Sequence, residues 1–234
     1  MKKWILRILL LLLCVIIIIG GIFLFNGYQM YKEALDTISL TDKVAQVQED
    51  DTYLKLEELP EDYKNAVVSV EDRRYYDHGP IDLIAIARAV VVNIKNMEFL
   101  EGGSTITQQV AKNLYFVSTE ENAALRKIAE IFMAYDLEKN YDKDTILELY
   151  VNTIYFGDGY YVIQEACQGY LNKDAKDMTL FDSTMMAGIP NAPSAYAPTV
   201  NLELTLSRQG KVISTMVENE YISQEEADKL IEEQ

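Results

Sequence analysis

Apolar residues fill the chain from Ile5 to Phe25, broken only by Arg7. That run is about the 20 residues a helix needs to cross a hydrocarbon core. Lys2, Lys3 and Arg7 stand at its start, so the positive-inside rule puts the N-terminus in the cytoplasm and the remainder outside. A cleaved signal peptide is the alternative. The run is longer than a usual signal core, and no small-residue cleavage site follows it. Residues 28–40 read as a short amphipathic continuation. VAQVQEDDTYLKL (44–56) alternates weakly around a turn at Glu49–Asp51 and is the one expected strand region.

From Pro60 onward the pattern is helical. Glu61 and Asp62 after Pro60 suit a helix start, and Ala66, Val67 and Val70 supply its apolar stripe. That helix is expected to end near 73–79. Asp82 can cap LIAIARAVVVNIKN, which is apolar nearly all round and is therefore expected at the centre of the core. Thr105 and Gln108 form a capping-box pair opening a helix toward Asn113. Further helices are expected over about 120–139, through 145–152 and from Thr179. Pro190, Pro193 and Pro198 predict a loop over PNAPSAYAP. Two closing helices follow, over about 202–218 and after Ser223. The expected class is mainly α with a minor β piece. The expected divisions are 1–27 (cytoplasmic tip and anchor), 28–52 (membrane-proximal linker) and 53–234 (catalytic domain).

Composition narrows the function. The 234 residues suffice for one domain plus an anchor, and a net charge of -16 argues against bulk binding to nucleic acid. A local basic cluster can still hold an anionic substrate, because screening cuts the distant charge off. Cys14 lies in the apolar run and Cys167 in the globular part, so no fold-holding disulfide is expected. His78 is the one histidine, and no zinc or iron–sulfur spacing is present.

Three segments carry candidate chemistry. Glu71 follows the apolar helix face AVVSV and precedes Asp72, Arg73 and Arg74. A carboxylate beside an apolar face has its charged form disfavoured, which suits a general base near neutral pH; a surface acidic pair at a helix end is equally open. In EGGSTITQQVAKN (101–113), two glycines lead into a helix N-terminus rich in side-chain donors, with Ser104, Thr105, Gln109, Lys112 and Asn113 in reach. That is an anion or sugar cradle, or an ordinary capped helix. In ALRKIAEIFMAYDLEK, Arg126 and Glu130 share a helix face with Lys127 beside them, either as a surface ion pair or as a pyrophosphate clamp with a second carboxylate. His78, Asp77 and Asp82 read as turn builders, and Tyr75, Tyr76, Tyr155, Phe156, Tyr160 and Tyr161 as core or cleft wall with some fit for sugar rings.

In this order, VEDRRYYDHGPID, GGSTITQQVAKN, RKIAEIFMAYDLEKNYDKDTILELYVNTIYFGDG and AGIPNAPSAYAP resemble the peptidoglycan glycosyltransferases, glycosyltransferase family 51, in their monofunctional form. The resemblance covers about 53–232. It implies a mostly helical, lysozyme-like domain with a small membrane-dipping lobe and an activity that polymerises lipid II into glycan strands. It places the catalytic base on Glu71, a second catalytic glutamate on Glu130, and substrate contacts on Ser104, Thr105, Gln109, Lys112, Asn113, Arg126 and Lys127. A divalent cation, magnesium or manganese, near Glu130 is compatible with it but not required. Lipid II, the growing glycan, the outer face of a bacterial membrane and separate transpeptidases are the implied partners, and moenomycin the implied inhibitor type. The chain ends at Gln234 with no transpeptidase segment, so cross-linking is expected to fall to another protein. The sequence departs from the family at Tyr75 (usually Phe), HGPID (usually HxGxD), Val162 (usually Gly) and EACQGYLNK (usually an alanine run ending in YFGK). A membrane-bound lytic transglycosylase or muramidase and a non-catalytic cell-wall scaffold remain as alternatives.

Overall fold

The structure, a computed structural model, describes residues 2–98, 102–117 and 122–234, with side chains from residue 4 onward. Helix α1 (Lys2–Thr37) runs without a break from the apolar segment into the polar residues after it, and over Trp4–Thr37 it is long and apolar enough to cross a membrane. Next come α2 (Leu40–Gln48), α3 (Glu61–Glu71) and α4 (Leu83–Asn96). Helix α5 (Ile106–Ala111) passes directly into a wider π turn at Lys112–Phe116. Then follow α6 (Ala123–Asn140), α7 (Lys143–Val151), α8 (Ile163–Leu171) and α9 (Leu180–Gly188). The short α10 (Pro193–Tyr196), α11 (Leu202–Glu218) and α12 (Gln224–Glu232) close the chain. Helix α3 lies in the middle against α9 and α11, while α5 lies against α6 and α7, so the ends of α3 and α5 meet at the centre.

The caps fall where the side chains allow them. Thr105 and Gln108 form a reciprocal capping box on α5, as do Thr179 and Asp182 on α9 and Ser223 and Glu226 on α12. Each satisfies donors that the first helical turn leaves unpaired. The Asp82 carboxylate accepts from the amides of Ile84 and Ala85.

Four expectations are corrected. Among the described residues there is no strand, only an isolated bridge between Gly157 and Tyr160. The 44–56 segment begins instead as α2, because Leu40 and Val44, one helical turn apart, are the buried pair, and that period outweighs the weak alternation. The first long helix stops at Glu71 rather than at 73–79. PNAPSAYAP is not a plain loop: Pro190 and Pro193 stand in the first turns of a 3-10 turn and of α10, where a missing N–H costs nothing. The expected start of the long helix at Glu120 lies outside the described residues, and α6 begins at Ala123 behind an Asn122 cap.

The largest correction is α4. Only Ala89 is buried, whereas Leu83 is 74% exposed and Ile94 72%, with Ile84, Val90 and Val91 also open. A helix apolar all round lies either in a protein core or in lipid, and the surrounding fold leaves this one uncovered. It forms the small lobe, approached at its inner side by Gly103, where a Cβ would come within 3.1 Å of the Ile86 Cα.

The long apolar helix is packed onto the globular body. A Cβ on Gly27 would fall 2.5 Å from Ile128 Cγ2, Tyr28 meets Phe132 edge-on at 5.2 Å, and the Tyr31 hydroxyl donates to Asp136. Helix α1 thereby sets the tilt of α6, which carries Arg126, Lys127 and Glu130. We expect Gly27→Ala to lower unfolding stability in detergent by about 1–3 kcal/mol despite alanine's better helix propensity, because the overpacked contact must open. A thermal melt unchanged or raised by Gly27→Ala would contradict this packing.

Candidate active site

Glu71 is the last residue of α3, and its side chain is only 10% exposed. Oε2 accepts from Gln109 Nε2 at 2.8 Å. Oε1 is buried and has no hydrogen-bond partner; the nearest cation, Arg208 Nη2, stands 3.9 Å away. Burial raises the Glu71 carboxyl above its ordinary range; the Gln109 hydrogen bond, Arg208 and Lys112 oppose that rise, and Asp72 adds to it. A carboxylate held dry, with one oxygen fixed and the other free, is the arrangement a general base needs.

The neighbouring Asp72 joins the two central helices. Its Oδ2 accepts from the Ile106 amide at 3.0 Å, the first residue of α5, and its Oδ1 lies 2.7 Å from His78 Nε2. Thr105 donates to the Pro80 carbonyl, so the HGPID turn is stitched to the start of α5. Asp82 holds Arg74 through both oxygens at 2.9 and 3.0 Å. Burial works against the charged form of Asp82, but Arg74 and the two capped amides win and bring it down to about 2. Asp72, His78 and Asp82 stand close enough to suggest a metal site. Their ligand atoms are already engaged by Ile106, Gly79, Arg74 and the α4 amides, so the cluster builds the turn.

The remaining candidates fall into two sets. Lys127 Nζ bonds Ser104 Oγ at 2.8 Å and Glu130 Oε2 at 3.0 Å, and Arg126 Nε lies 3.5 Å from Glu130 Oε1. Glu130 is therefore buried between two cations that span α6 and the strip before α5. Thr105 is buried, with its hydroxyl engaged in the cap and at Pro80, so it shapes the helix start. Lys112, Asn113 and Arg126 line a cavity of about 350 Å³ together with Tyr155, Tyr161 and Pro193. Asn113 Nδ2 is buried there without a partner. Tyr155 and Tyr161 are exposed and packed at 4.7 Å, while Tyr75 and Phe156 are core.

A second cavity, about 240 Å³, opens beside Glu71 and is lined by Arg73, Arg88, Arg208 and Lys211 with Asn191. Arg208 and Lys211 were absent from the sequence reading. The signal was present in α11: Arg208 is three residues after Thr205 and four before Val212, both buried, so an arginine stands on the inner face of an amphipathic helix. The segment Ile189–Tyr196 walls both cavities, Asn191 facing one and Pro190 and Pro193 the other.

The departures from the family pattern are absorbed. The Tyr75 hydroxyl donates to the Lys143 carbonyl at 2.7 Å, and Lys143 Nζ lies over its ring at 4.5 Å. Val162 is the extended cap of α8 at φ -135°, a conformation any residue adopts. Gly169 leaves room for the Tyr160 ring, whose Cζ would lie 2.2 Å from an added Cβ. The Tyr170 hydroxyl donates to the Phe156 carbonyl. Burial pushes the Cys167 thiol up to about 12, which makes it a packing residue.

The family model described as Transglycosylase matches residues 39–217. Penicillin-binding protein 1A of Neisseria lactamica is 44% identical over 182 residues, 78% of this chain and 23% of that protein. Penicillin-binding protein 1F of Bacillus subtilis is 41% identical over 174 residues, 74% of this chain and 24% of that protein. The chain thus spans about a quarter of the length of these relatives. A crystal structure of penicillin-binding protein 1A from Haemophilus influenzae aligns with 78% of this chain and 17% of that one, at 22% identity and a TM-score of 0.45.

The raised Glu71 carboxyl has a consequence for stability. The folded protein keeps this proton to higher pH than the unfolded chain does, so Glu71 makes stability fall as pH climbs from glutamate's ordinary value through the raised one. Glu71→Gln removes that dependence. Its melting temperature is expected to exceed the parent's at neutral pH and to converge with it at acid pH. A variant less stable than the parent at neutral pH would contradict a carboxylate held against its own burial.

Proposed function

The chain belongs to the transglycosylase family, and we propose that it polymerises lipid II into peptidoglycan glycan strands. The observation that carries this reading is the buried, partnerless Oε1 of Glu71, facing a cation-lined cavity in a protein of net charge -16. Glu71 takes the proton from the 4-hydroxyl of the acceptor N-acetylglucosamine. That oxygen attacks the anomeric carbon of the donor N-acetylmuramic acid from the face opposite the pyrophosphate. One bond forms as the other breaks, and the linkage inverts from α to β. The undecaprenyl pyrophosphate leaves with its charge held by Lys112 and Arg126, which line the same cavity. Removing a single preorganised oxyanion-hole donor from another enzyme costs about 2.7–4 kcal/mol, which sets the scale for charge stabilisation of this kind.

Glu130 serves as the anchor for that clamp. Its oxygens face Arg126 and Lys127, and among the described residues it is in no cluster of three metal-ligating side chains. In this reading the charge of the leaving group is met by side chains. Tyr155 and Tyr161 offer ring faces to sugars of the donor strand. The wall-cleaving alternative would have no use for paired cations at a pyrophosphate.

The membrane reading follows from two helices. We infer that helix α1 crosses the bilayer with its basic end, Lys2, Lys3 and Arg7, in the cytoplasm and the catalytic body at the outer face of a bacterial membrane; the helix's length and apolarity and the positive-inside rule support this. The open apolar face of α4 dips into the same leaflet, near where a lipid-linked substrate must enter.

Purified full-length protein in detergent or liposomes should turn over lipid II. Glu71→Gln should lose about 10²–10⁴-fold in rate, the range over which general base groups act. Lys112→Ala should lose about 10²-fold. A Glu71→Gln protein that keeps most of its polymerising rate would remove Glu71 as the base, and an unaffected Lys112→Ala would remove the lysine from the pyrophosphate site.

A further inference from the structure

Arg208 is the least expected charge in the molecule. It stands on the inner face of α11 with a side chain only 15% exposed. Three contacts hold it. Its stem passes over Gly188, where a Cβ would lie 3.0 Å from Arg208 Cγ. Its Nε donates to the Gly188 carbonyl at 3.4 Å, and its guanidinium lies 5.9 Å from the centre of the Tyr196 ring. From that mount Nη2 reaches to 3.9 Å from Glu71 Oε1, the oxygen without a hydrogen bond. The distance is an ion-pair separation rather than a hydrogen bond, and it leaves a lone pair of Oε1 available.

Resting on the reading of Glu71 as the base, we propose that Arg208 is a positioning residue: clamped between Gly188 and Tyr196, it keeps the Glu71 carboxylate ionised without occupying the oxygen that takes the acceptor's proton. The fork is held just beyond bonding distance by its mount, which lies on α9 and α10 rather than on Glu71's own helix. The other groups facing Glu71 do not duplicate this. Gln109 is neutral and fixes Oε2, the Lys112 charge acts more weakly than that of Arg208, and Asp72 disfavours the charge. The Tyr63 and Tyr150 hydroxyls are buried beside Glu71, and burial with the Glu71 charge raises their own titration, so they stay neutral. Arg73, Arg88 and Lys211 line the cavity with Glu218.

Two variants test this by different routes. Arg208→Met keeps the stem and removes the charge. Gly188→Ala keeps every charge and pushes the stem aside; at φ -79° its backbone accepts alanine. Initial rates of lipid II polymerisation by the full chain are measured from acid to mildly alkaline pH, with melting curves as the fold control. Arg208→Met should move the acid limb of the kcat/KM profile up by about one pH unit or more, the size of an opposite charge close by. Its rate should fall by up to about tenfold for each pH unit the limb moves, on the acid side of the midpoint, and recover as pH rises. Gly188→Ala should shift the limb in the same direction by less, and Arg208→Lys should restore most of the parent position. Both shifts in an otherwise stable protein support the assignment. An unmoved acid limb with a uniformly lower rate, or a raised KM alone, overturns it in favour of a packing or substrate-binding role. If Arg208→Met does not fold, the Gly188→Ala limb decides. A parent protein that does not polymerise lipid II would instead sink the underlying functional reading, and the two failures are separable because the parent is assayed first.

Discussion

The cleft depends on one carboxylate that does no chemistry. Asp72 is the residue that caps the end of α3 and, through Oδ2, accepts the Ile106 amide that begins α5, while Oδ1 faces His78. The end of one helix and the start of another are thereby fixed side by side. Glu71 is the residue before this joint and Gln109 lies one turn into α5, so their 2.8 Å contact follows from it. Lys112 comes three residues later on the same face, and the π turn that begins there keeps Lys112 and Asn113 turned into the cavity that Arg126 enters from α6. Without the Asp72 joint, Glu71 and the cations of α5 and α6 would sit on independent helices.

A second constraint is burial. Glu71 is placed where its charge is disfavoured, and the fold surrounds it with cations from several elements. The overall charge of the protein is strongly negative, so this cluster is local and deliberate in its placement. Such a site holds stability below its optimum in exchange for a carboxylate of useful basicity. The same logic explains the anchor. Helix α1 is packed against α6 through Gly27, Tyr28 and Tyr31, so the long apolar helix and the helix that carries Arg126, Lys127 and Glu130 are one packed unit.

Much of this was legible in the chain, and what was not has identifiable causes. The capping boxes at Thr105, Thr179 and Ser223 were readable because their bonds are local. Glu71, Gln109 and Lys112 stand out as candidates because they fall in dense polar islands amid apolar runs. Helix α4 misled because apolarity all round is the same pattern for a core helix and for one that meets lipid; only the surrounding fold distinguishes them. The segment over 44–56 misled because its alternation was weak and the Leu40–Val44 period was overlooked. Arg208 was missed because its partners, Gly188, Tyr196 and Glu71, are distant in sequence and the joint exists only after α11 has packed on α3 and α9.

The central claim is that Glu71 is a buried carboxyl with a proton affinity raised by burial and held in check by neighbouring cations. An infrared titration of the carboxyl band in the full chain, assigned by its loss in Glu71→Gln, measures this directly. A midpoint above the ordinary glutamate range, matching the acid limb of lipid II polymerisation, is the predicted result. A midpoint at or below that range, or one unrelated to the activity limb, would contradict the account.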